Sequence, residues 1–373
     1  MRILILSCNT GEGHNSAGKA IQEVLTPLGV FSEIMDALSF WSPKISKFIC
    51  NWHVRLYTRA PLLFNAGYRM AEDHDPEPSD ESKIYEMLSQ GAEKLYEALE
   101  IGVYDAVICV HVFACLMMRR VRRDYPIRIP TYFVATDYTC SPYVAEAEAD
   151  GYFIPDEKLA PEFTRSGVPA NKLIPTGIPI RQVFFQPKDP KSSRAALGIA
   201  PDKKVALLMC GSMGCGPIKR LAKRLTDTLP ENAMLIVVCG HNEKLYEDLL
   251  ELGNHANLRV LGFAKNIPVY MDAADLMMTK PGGLSSTEAA AKGLPIIFID
   301  AVGGCEGRNL EFYTRYELAE TADSVNRLAE LVCSNLADPE KLRRMSETLR
   351  VNFPHNGAQE ICAHVMQNTE AGL

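Results

Sequence analysis

The segment 9–14, Asn-Thr-Gly-Glu-Gly-His, places glycines and a histidine directly after a short apolar run. His14 can exchange a proton near neutral pH, and glycines allow a ligand to approach the backbone closely. A dinucleotide-binding fingerprint fails because residue 16 is Ser, and residues 13–19 match only the first part of a phosphate-binding P-loop, since Ala20 follows. The segment predicts an anion-binding or acid–base site, with a purely structural turn as the alternative.

Residues 279–288, Thr-Lys-Pro-Gly-Gly-Leu-Ser-Ser-Thr-Glu, give a stronger signal for a phosphate site. Gly282 and Gly283 can expose backbone N–H groups to a pyrophosphate at the start of a helix, beside the hydroxyl of Ser285 or Ser286. Glu288, one turn further on, could accept hydrogen bonds from ribose hydroxyls. The alternative is a capping box, in which Ser285 caps the helix and Glu288 folds back on the cap.

Two further glycine-rich loops follow apolar runs. One begins with Gly211 and Ser212, and the other spans 303–309 and contains Cys305 and Glu306. Ligands of open α/β sheets bind at the carboxyl ends of the strands. We therefore expect the first loop to contact the same phosphate group and the second to face the ligand.

Apolar runs alternate with helical patterns along the whole chain, which predicts parallel sheets covered by helices. We expect strands at 3–6, 106–110, 131–135, 205–210, 234–239, 258–263, 276–279 and 295–299, with helices at 16–25, 219–229 and 243–252. The predicted organisation is a domain over 1–180, a Pro-rich connector over 181–203, a second domain over 204–340, and a helical region over 341–373 that could pack across the domains.

Composition limits the class of protein. The chain has 373 residues, of which 47% are hydrophobic and 23% charged, so it is not a disordered chain. The net charge of −7 argues against a generic nucleic-acid binder. Eleven dispersed cysteines without a Cys-x-x-Cys pair indicate reduced thiols. We expect no signal peptide, and the stretch 106–118 is shorter than the ~20 residues that span a membrane, so the expected protein is soluble or peripheral.

One segment is basic although the chain as a whole is acidic. Residues 41–70 contain five Lys or Arg, no Asp or Glu, and both tryptophans of the chain. A cationic face with interfacial tryptophans fits a helix lying on an anionic membrane, whereas a helix that turns its apolar face to the core is the alternative. The predicted membrane-binding residues are Trp41, Lys44, Lys47, Trp52, Arg55 and Arg59.

Five motifs together resemble those of the monogalactosyldiacylglycerol synthases and processive diacylglycerol glucosyltransferases, relatives of the lipid II N-acetylglucosaminyltransferases. They are Gly-x-Gly-His at 11–14, Thr-Asp at 136–137, Thr-Gly-Ile-Pro at 176–179, Leu-Gly-Phe at 261–263 and Thr-Lys-Pro-Gly-Gly-Leu at 279–284. The resemblance covers about residues 1–365. It implies a GT-B fold, in which two Rossmann-like domains face an inter-domain cleft, with the acceptor on the first and a UDP-sugar on the second.

The resemblance also implies roles for individual residues. His14 corresponds to the general base, and Asp137 to an acid near the acceptor. The donor-binding residues it indicates are Gly13, Gly211, Ser212, Phe263, Gly282, Gly283, Ser285, Glu288, Cys305 and Glu306, with the Phe263 backbone at the uracil and Glu288 at the ribose. This chain departs from the family at Cys305, where a Gln usually contacts the donor sugar, and at 139–143.

The predicted activity is therefore inverting, metal-independent transfer of a hexose or N-acetylhexosamine from a UDP-sugar to a membrane lipid such as diacylglycerol, without a cofactor. The expected location is the cytoplasmic face of the cell membrane, with UDP-sugar, lipid acceptor and anionic membrane as partners, and without nucleic acid. Alternatives are a non-catalytic nucleotide-sugar sensor and a P-loop-like kinase. A metal site at Asp73-His-Asp75 is disfavoured because that stretch reads as a Pro-rich loop.

Overall fold

The structure is a computed structural model. It describes residues 1–9, 12–44, 46–48, 52, 86–87, 90–186, 188–253, 255–301 and 303–371. These residues form two compact units. Unit 1 comprises 1–182, 303–305 and 355–373, and unit 2 comprises 183–302 and 306–354.

Each unit contains a parallel sheet. The strands of unit 1 are β1 (Arg2–Ser7), β2 (Phe31–Asp36), β3 (Ala106–Cys109), β4 (Thr131–Val134), β5 (Gly151–Ile154) and β6 (Leu173–Pro175). Those of unit 2 are β7 (Lys204–Met209), β8 (Ala233–Val238), β9 (Leu258–Leu261), β10 (Leu276–Thr279), β11 (Ile296–Phe298) and β12 (Glu320–Thr321). The strand orders are β2-β1-β3-β4-β5-β6 and β12-β11-β10-β7-β8-β9.

The described helices are, in chain order, α1 (Glu12–Leu25), α2 (Ala37–Trp41), α3 (Ala92–Gly102), α4 (Val112–Asp124), α5 (Ala160–Arg165), α6 (Pro190–Ala196), α7 (Ile218–Thr228), α8 (Glu243–Leu250), α9 (Ile267–Ala273), α10 (Gly283–Ala291), α11 (Cys305–Arg315), α12 (Val325–Ala337), α13 (Pro339–Asn352) and α14 (Gly357–Ala371). None of them is long and apolar enough to cross a membrane.

The core of unit 1 lies around β1 and its neighbours. Residues 3–6 of β1 are fully buried, as expected for a central strand of a parallel sheet with both faces covered. The helix α1 turns Ala17, Ile21 and Leu25 inward at a spacing of four residues. Its outer neighbour is α14, where the Cys362 thiol lies 3.6 Å from the carbonyl oxygen of Ile21. The chain end thus packs on the first helix.

The core of unit 2 is built in the same way. Every residue of β8 is buried, and α7 covers the sheet with Ile218, Leu221, Ala222 and Leu225. Their spacing of i, i+3, i+4 and i+7 defines one apolar helix face. The predicted α/β class with two parallel sheets is confirmed.

All eight strands predicted from apolar runs are present, within one or two residues at each end. The predicted set lacks β2, β6 and β12, which are edge strands, and β5, a short internal strand that is fully buried. The first helix begins at Glu12, not at residue 16. Residues 13–19 are therefore helical, so they cannot form the loop of a P-loop, and the kinase alternative is wrong.

Candidate active site

The first group of polar side chains lies at the carboxyl edge of the sheet of unit 1. The strands β1, β3 and β4 are neighbours there. His14 lies in the first turn of α1, which follows β1. His111 follows β3, and Thr136 follows β4. Because parallel strands end at the same edge of a sheet, residues that are 122 positions apart meet at this point.

The imidazole of His14 is oriented by a backbone carbonyl. Its Nδ1 lies 2.9 Å from the carbonyl oxygen of Val110. Because a carbonyl oxygen can only accept, Nδ1 carries a proton, and in the neutral imidazole the lone pair is then on Nε2. The Thr136 hydroxyl lies 3.1 Å from the same Nδ1. His14 is thus held in the tautomer that can accept a proton at Nε2.

A second histidine lies against the first. The rings of His14 and His111 meet edge to face with their centroids 4.6 Å apart. His111 is the N-cap of α4, and its Nδ1 accepts a hydrogen bond of 3.1 Å from the Phe113 amide. That nitrogen therefore carries no proton. No sequence motif pointed to His111, although its position just after β3 was an available signal.

Asp137, predicted near the acceptor, lies half-buried in the loop after β4, next to Thr136. The loop is anchored two residues further on. One carboxylate oxygen of Glu162 accepts from the Thr139 hydroxyl at 2.5 Å and from the Cys140 amide at 2.8 Å. Burial raises the pKa of the Cys140 thiol to about 12, so this cysteine stays protonated at neutral pH.

The second group of predicted residues lies at the carboxyl edge of unit 2, where β10 leads into α10. Gly282 is the N-cap of α10 and has no capping side chain. Ser285 and Glu288 lie within the helix, both half-buried. The capping-box alternative is wrong because the helix begins at Gly283, ahead of Ser285. The first turn of α10 therefore presents backbone N–H groups that can bind an anion.

A buried ion pair lies beside this helix start. The ammonium of Lys280 is 3.1 Å from a carboxylate oxygen of Glu306, and only 5% of Lys280 is exposed. The neighbouring Asn309 is fully buried, and its side-chain amide donates a hydrogen bond of 2.8 Å to the carbonyl oxygen of Pro281. The helix α11 is thereby fixed to the loop after β10. Lys280 belongs to the Thr-Lys-Pro-Gly-Gly-Leu motif, but the motif alone predicted no role for it.

The predicted donor residue Glu306 is thus the ion-pair partner of Lys280, and Cys305 before it is the half-buried first residue of α11. Burial raises the pKa of the nearby Cys210 thiol to about 12, although the charge of Lys280 acts in the opposite direction. The thiol at the end of β7 is therefore neutral.

The loops after β7, β8 and β9 complete this edge. Gly211 has a φ of +64°, and the carbonyl of Ser212 accepts a 2.8 Å hydrogen bond from the amide of His241. Gly240 approaches so closely that a Cβ there would lie 2.2 Å from that carbonyl oxygen. His241 stacks on Phe263 at 4.4 Å and 19°. Phe263 is 56% exposed, and the pair forms an aromatic platform at the end of the sheet.

Gly13, predicted to bind the donor, lies in the first turn of α1 in unit 1, beside His14. Cys305 also belongs to unit 1. The remaining predicted donor residues lie at the carboxyl edge of unit 2, in the loops after β7 and β9, in the first turns of α10 and at the start of α11. The carboxyl edge of unit 2 thus combines a helix N-terminus, a buried cation and an aromatic platform. That set suits a nucleoside diphosphate.

The basic segment is described only in part. Trp41 is the half-buried last residue of α2, while Lys44 and Lys47 are exposed. The rings of Phe48 and Trp52 stack with their centroids 6.3 Å apart, and the two side chains are 66% and 54% exposed. Arg55 and Arg59 lie outside the described residues, as does the stretch 73–75.

Among the described residues, no group of three His, Cys, Asp or Glu side chains is arranged to hold a metal ion. Metal independence remains a prediction, which the Lys280 ammonium supports. A fixed cation at the helix start supplies positive charge where a departing diphosphate would need it.

Comparison with known proteins defines the class. The solved structure of Acinetobacter baumannii MurG covers 98% of this chain and 99% of its own, with a TM-score of 0.64 and 15% identity. A UDP-GlcNAc 2-epimerase from Neisseria meningitidis, bound to UDP-GlcNAc, gives a TM-score of 0.60 at 14% identity. The match covers 99% of this chain and 100% of the epimerase. The fold is GT-B, as the sequence predicted.

Residues 14–180 match the family model for monogalactosyldiacylglycerol (MGDG) synthase, and residues 218–351 match that for glycosyl transferases group 1. A processive diacylglycerol beta-glucosyltransferase from Bacillus mycoides (strain KBAB4) is 27% identical over 99% of this chain and 94% of its own. One from Bacillus subtilis (strain 168) is 28% identical over 99% and 96%. The chain is similar to these glycosyltransferases over nearly its whole length, and the prediction of a hexose-transferring enzyme is confirmed.

Proposed function

We propose that this protein is an inverting, metal-independent glycosyltransferase that moves a hexose from a UDP-sugar to diacylglycerol, without a cofactor. The observation that carries the proposal is the orientation of His14. The Val110 carbonyl holds the proton on Nδ1, so Nε2 has the lone pair that a general base needs.

The proposed donor site is the carboxyl edge of unit 2. The N–H groups at the start of α10 and the Lys280 ammonium suit the diphosphate, Glu288 suits the ribose hydroxyls, and the Phe263 platform suits the uracil. A structural neighbour from Anabaena, Alr3699/HepE, is solved in complex with UDP and has a TM-score of 0.58. That complex supports UDP as the carrier.

The proposed chemistry is a single displacement. The acceptor oxygen attacks the anomeric carbon, and its proton passes to Nε2 of His14. The bond between that carbon and the diphosphate oxygen breaks, and its electron pair leaves with UDP. Helix N–H groups and Lys280 stabilise the charge on the departing diphosphate. Because the attack comes from the face opposite the leaving group, the configuration at the anomeric carbon inverts.

Diacylglycerol is the proposed acceptor because the Bacillus relatives are named for it. This acceptor lies in a membrane, so the enzyme must reach the bilayer surface. The exposed Lys44 and Lys47 and the stacked Phe48 and Trp52 have the cationic and aromatic character of an interfacial site. We place the protein at the cytoplasmic face of the cell membrane, held peripherally by this segment.

A matrix of donors and acceptors tests the proposal. Radiolabelled UDP-glucose, UDP-galactose and UDP-N-acetylglucosamine are each incubated with vesicles that contain diacylglycerol and with extracted lipids, with and without EDTA. The expected product is a β-linked glycolipid, formed equally well in EDTA. An α-linked product would refute inversion, and loss in EDTA that Mg²⁺ restores would refute metal independence.

Cys305 supports one second candidate, a sensor that binds UDP-sugar without turnover. A thiol cannot supply the paired donor and acceptor of the family's Gln amide. Measurable UDP binding without transfer for any pair in the matrix would favour the sensor over the enzyme.

A further inference from the structure

A cavity of about 380 Å³ lies in unit 2 at the amino edge of the sheet, opposite to the proposed donor site. Its floor is formed where three neighbouring strands begin. Lys204 is the first residue of β7, Asp275 directly precedes β10, and Pro295 directly precedes β11. The volume falls within the range of small-molecule pockets, ~300–1,000 Å³.

One wall is a single face of α13. Its cavity-lining residues are Pro339, Leu342, Ser346 and Arg350, which are spaced by three or four positions and so share a helix face. Gly293 makes room for this wall. A Cβ at Gly293, whose φ is +66°, would lie 2.5 Å from Nε of Arg350. Glycine at this turn therefore lets the Arg350 side chain lie against the cavity.

The charge of the lining is positive. It includes Lys188, Lys204, Lys292 and Arg350 as cations, against Asp272 and Asp275 as anions. Both carboxylates are already paired. Lys292 Nζ lies 2.7 Å from Asp272, and Arg194, which is not a lining residue, lies 2.9 Å from Asp275.

Three cations therefore remain: Lys188, Lys204 and Arg350 form no ion pair within the described part of the chain. The helices α9 and α10 end at the same edge, but each contributes only about half a negative charge. Three full positive charges outweigh them, so the cavity favours an anion.

The rest of the lining indicates what else the anion carries. Phe184, Phe185, Met271 and Leu294 supply apolar and aromatic surface, on which an organic group can pack.

We propose that this cavity is a second ligand site, distinct from the donor site, that binds a small phosphate monoester of a sugar or polyol. Lys188, Lys204 and Arg350 hold the phosphate, and the organic part packs on the apolar lining. The proposal does not depend on the identity of the transferred sugar, because the two sites lie at opposite edges of the same sheet.

Isothermal titration calorimetry of the full chain tests the site, with glucose 6-phosphate and inorganic phosphate as the probes. We expect glucose 6-phosphate to bind more tightly than inorganic phosphate, and saturating UDP to leave its affinity unchanged. Arg350→Ala and Lys204→Ala should each weaken it about tenfold or more, since each removes a charge-assisted hydrogen bond. The matched control is Arg344→Ala, on the same helix but outside the cavity, which should bind normally.

Lys188→Ala keeps the test valid if the Lys204 variant fails to fold, because Lys188 is exposed whereas Lys204 is partly buried. It should also weaken binding. A parallel arm with vesicles that contain phosphatidic acid shows whether the phosphate comes from solution or from a lipid headgroup, and the same three variants should weaken either form. The proposal is overturned if no probe binds at millimolar concentration, if inorganic phosphate binds as tightly as the ester, if UDP displaces the ester, or if the variants bind like the control.

Discussion

The ammonium of Lys280 lies 3.1 Å from the carboxylate of Glu306, and both side chains are largely shielded from water. The pair joins the loop after β10 to α11, next to the helix start that is proposed to bind the diphosphate. Removing one partner of such a pair leaves the other charge buried without compensation.

Lys280→Met should lower the free energy of unfolding by about 3 kcal/mol, because Glu306 then loses the ammonium that lies 3.1 Å from it. Urea denaturation followed by circular dichroism measures the change. Lys244→Met is the control, since Lys244 forms an exposed pair with Asp248 at 3.4 Å, and it should cost less than ~1 kcal/mol. Equal losses for the two variants would mean that the buried pair has no special role.

Glu288→Ala should weaken UDP binding about tenfold or more, because a charged acceptor for the ribose hydroxyls is lost. Affinity for inorganic pyrophosphate should not change, since the diphosphate is assigned to the N–H groups before Glu288. Calorimetric titration with both ligands gives the comparison, and the exposed Glu330→Ala serves as the control. A parallel loss of UDP and pyrophosphate affinity would place Glu288 at the phosphates instead.

Charge reversal of Lys44 and Lys47 should weaken binding to anionic liposomes at low salt by at least about fivefold per lysine. The reason is that each lysine near the surface contributes ~1 kcal/mol to the binding free energy. Trp52→Ala should weaken binding at every salt concentration, because its contribution is apolar. Liposome sedimentation with varied salt and anionic lipid separates the two effects. Lys223→Glu, an exposed change in unit 2, is the control. If wild-type binding depends on neither salt nor anionic lipid, the proposal of electrostatic attachment is wrong.

His364 on α14 predicts a pH effect on stability. Its ring meets Tyr132 and Phe153 edge to face at 6.0 and 5.5 Å, and burial lowers its pKa from the ordinary value of 6.5. The unfolded chain therefore takes up the proton more readily, so this histidine costs stability as the pH falls below about 6.5.

His364→Gln should reduce the loss of unfolding free energy between pH 7.5 and pH 5.5. The loss of unfolding free energy is measured from urea denaturation midpoints at the two pH values. The exposed His255→Gln is the control. A loss as large as that of the wild type would show that His364 is not responsible for the pH dependence.

The sequence predicted the parts of the sites that depend on local pattern. The apolar run of β10 followed by Gly282 and Gly283 specifies a strand, a turn and a helix start within a few residues. His14 was found for the same reason. The capping box failed because the helix begins three residues earlier than the Ser285 pattern suggests.

Contacts between distant segments could not be predicted from the sequence. The Val110 carbonyl that orients His14 is 96 residues away, and it is in place only because β1 and β3 are neighbours in the sheet. The Lys280–Glu306 pair and the cationic cavity likewise join segments that no local pattern connects. Strand order, which is a property of the whole chain, decides all three.

The central claim is that His14 removes the proton from the acceptor. Single-turnover transfer from UDP-glucose to diacylglycerol vesicles, measured beside UDP binding by calorimetry, tests it most directly for His14→Ala, with His255→Gln as the control. Loss of a general base should slow transfer by roughly 10²–10⁴-fold while UDP binds as it does to the wild type. Transfer at the wild-type rate, or loss of UDP binding together with transfer, would contradict the assignment.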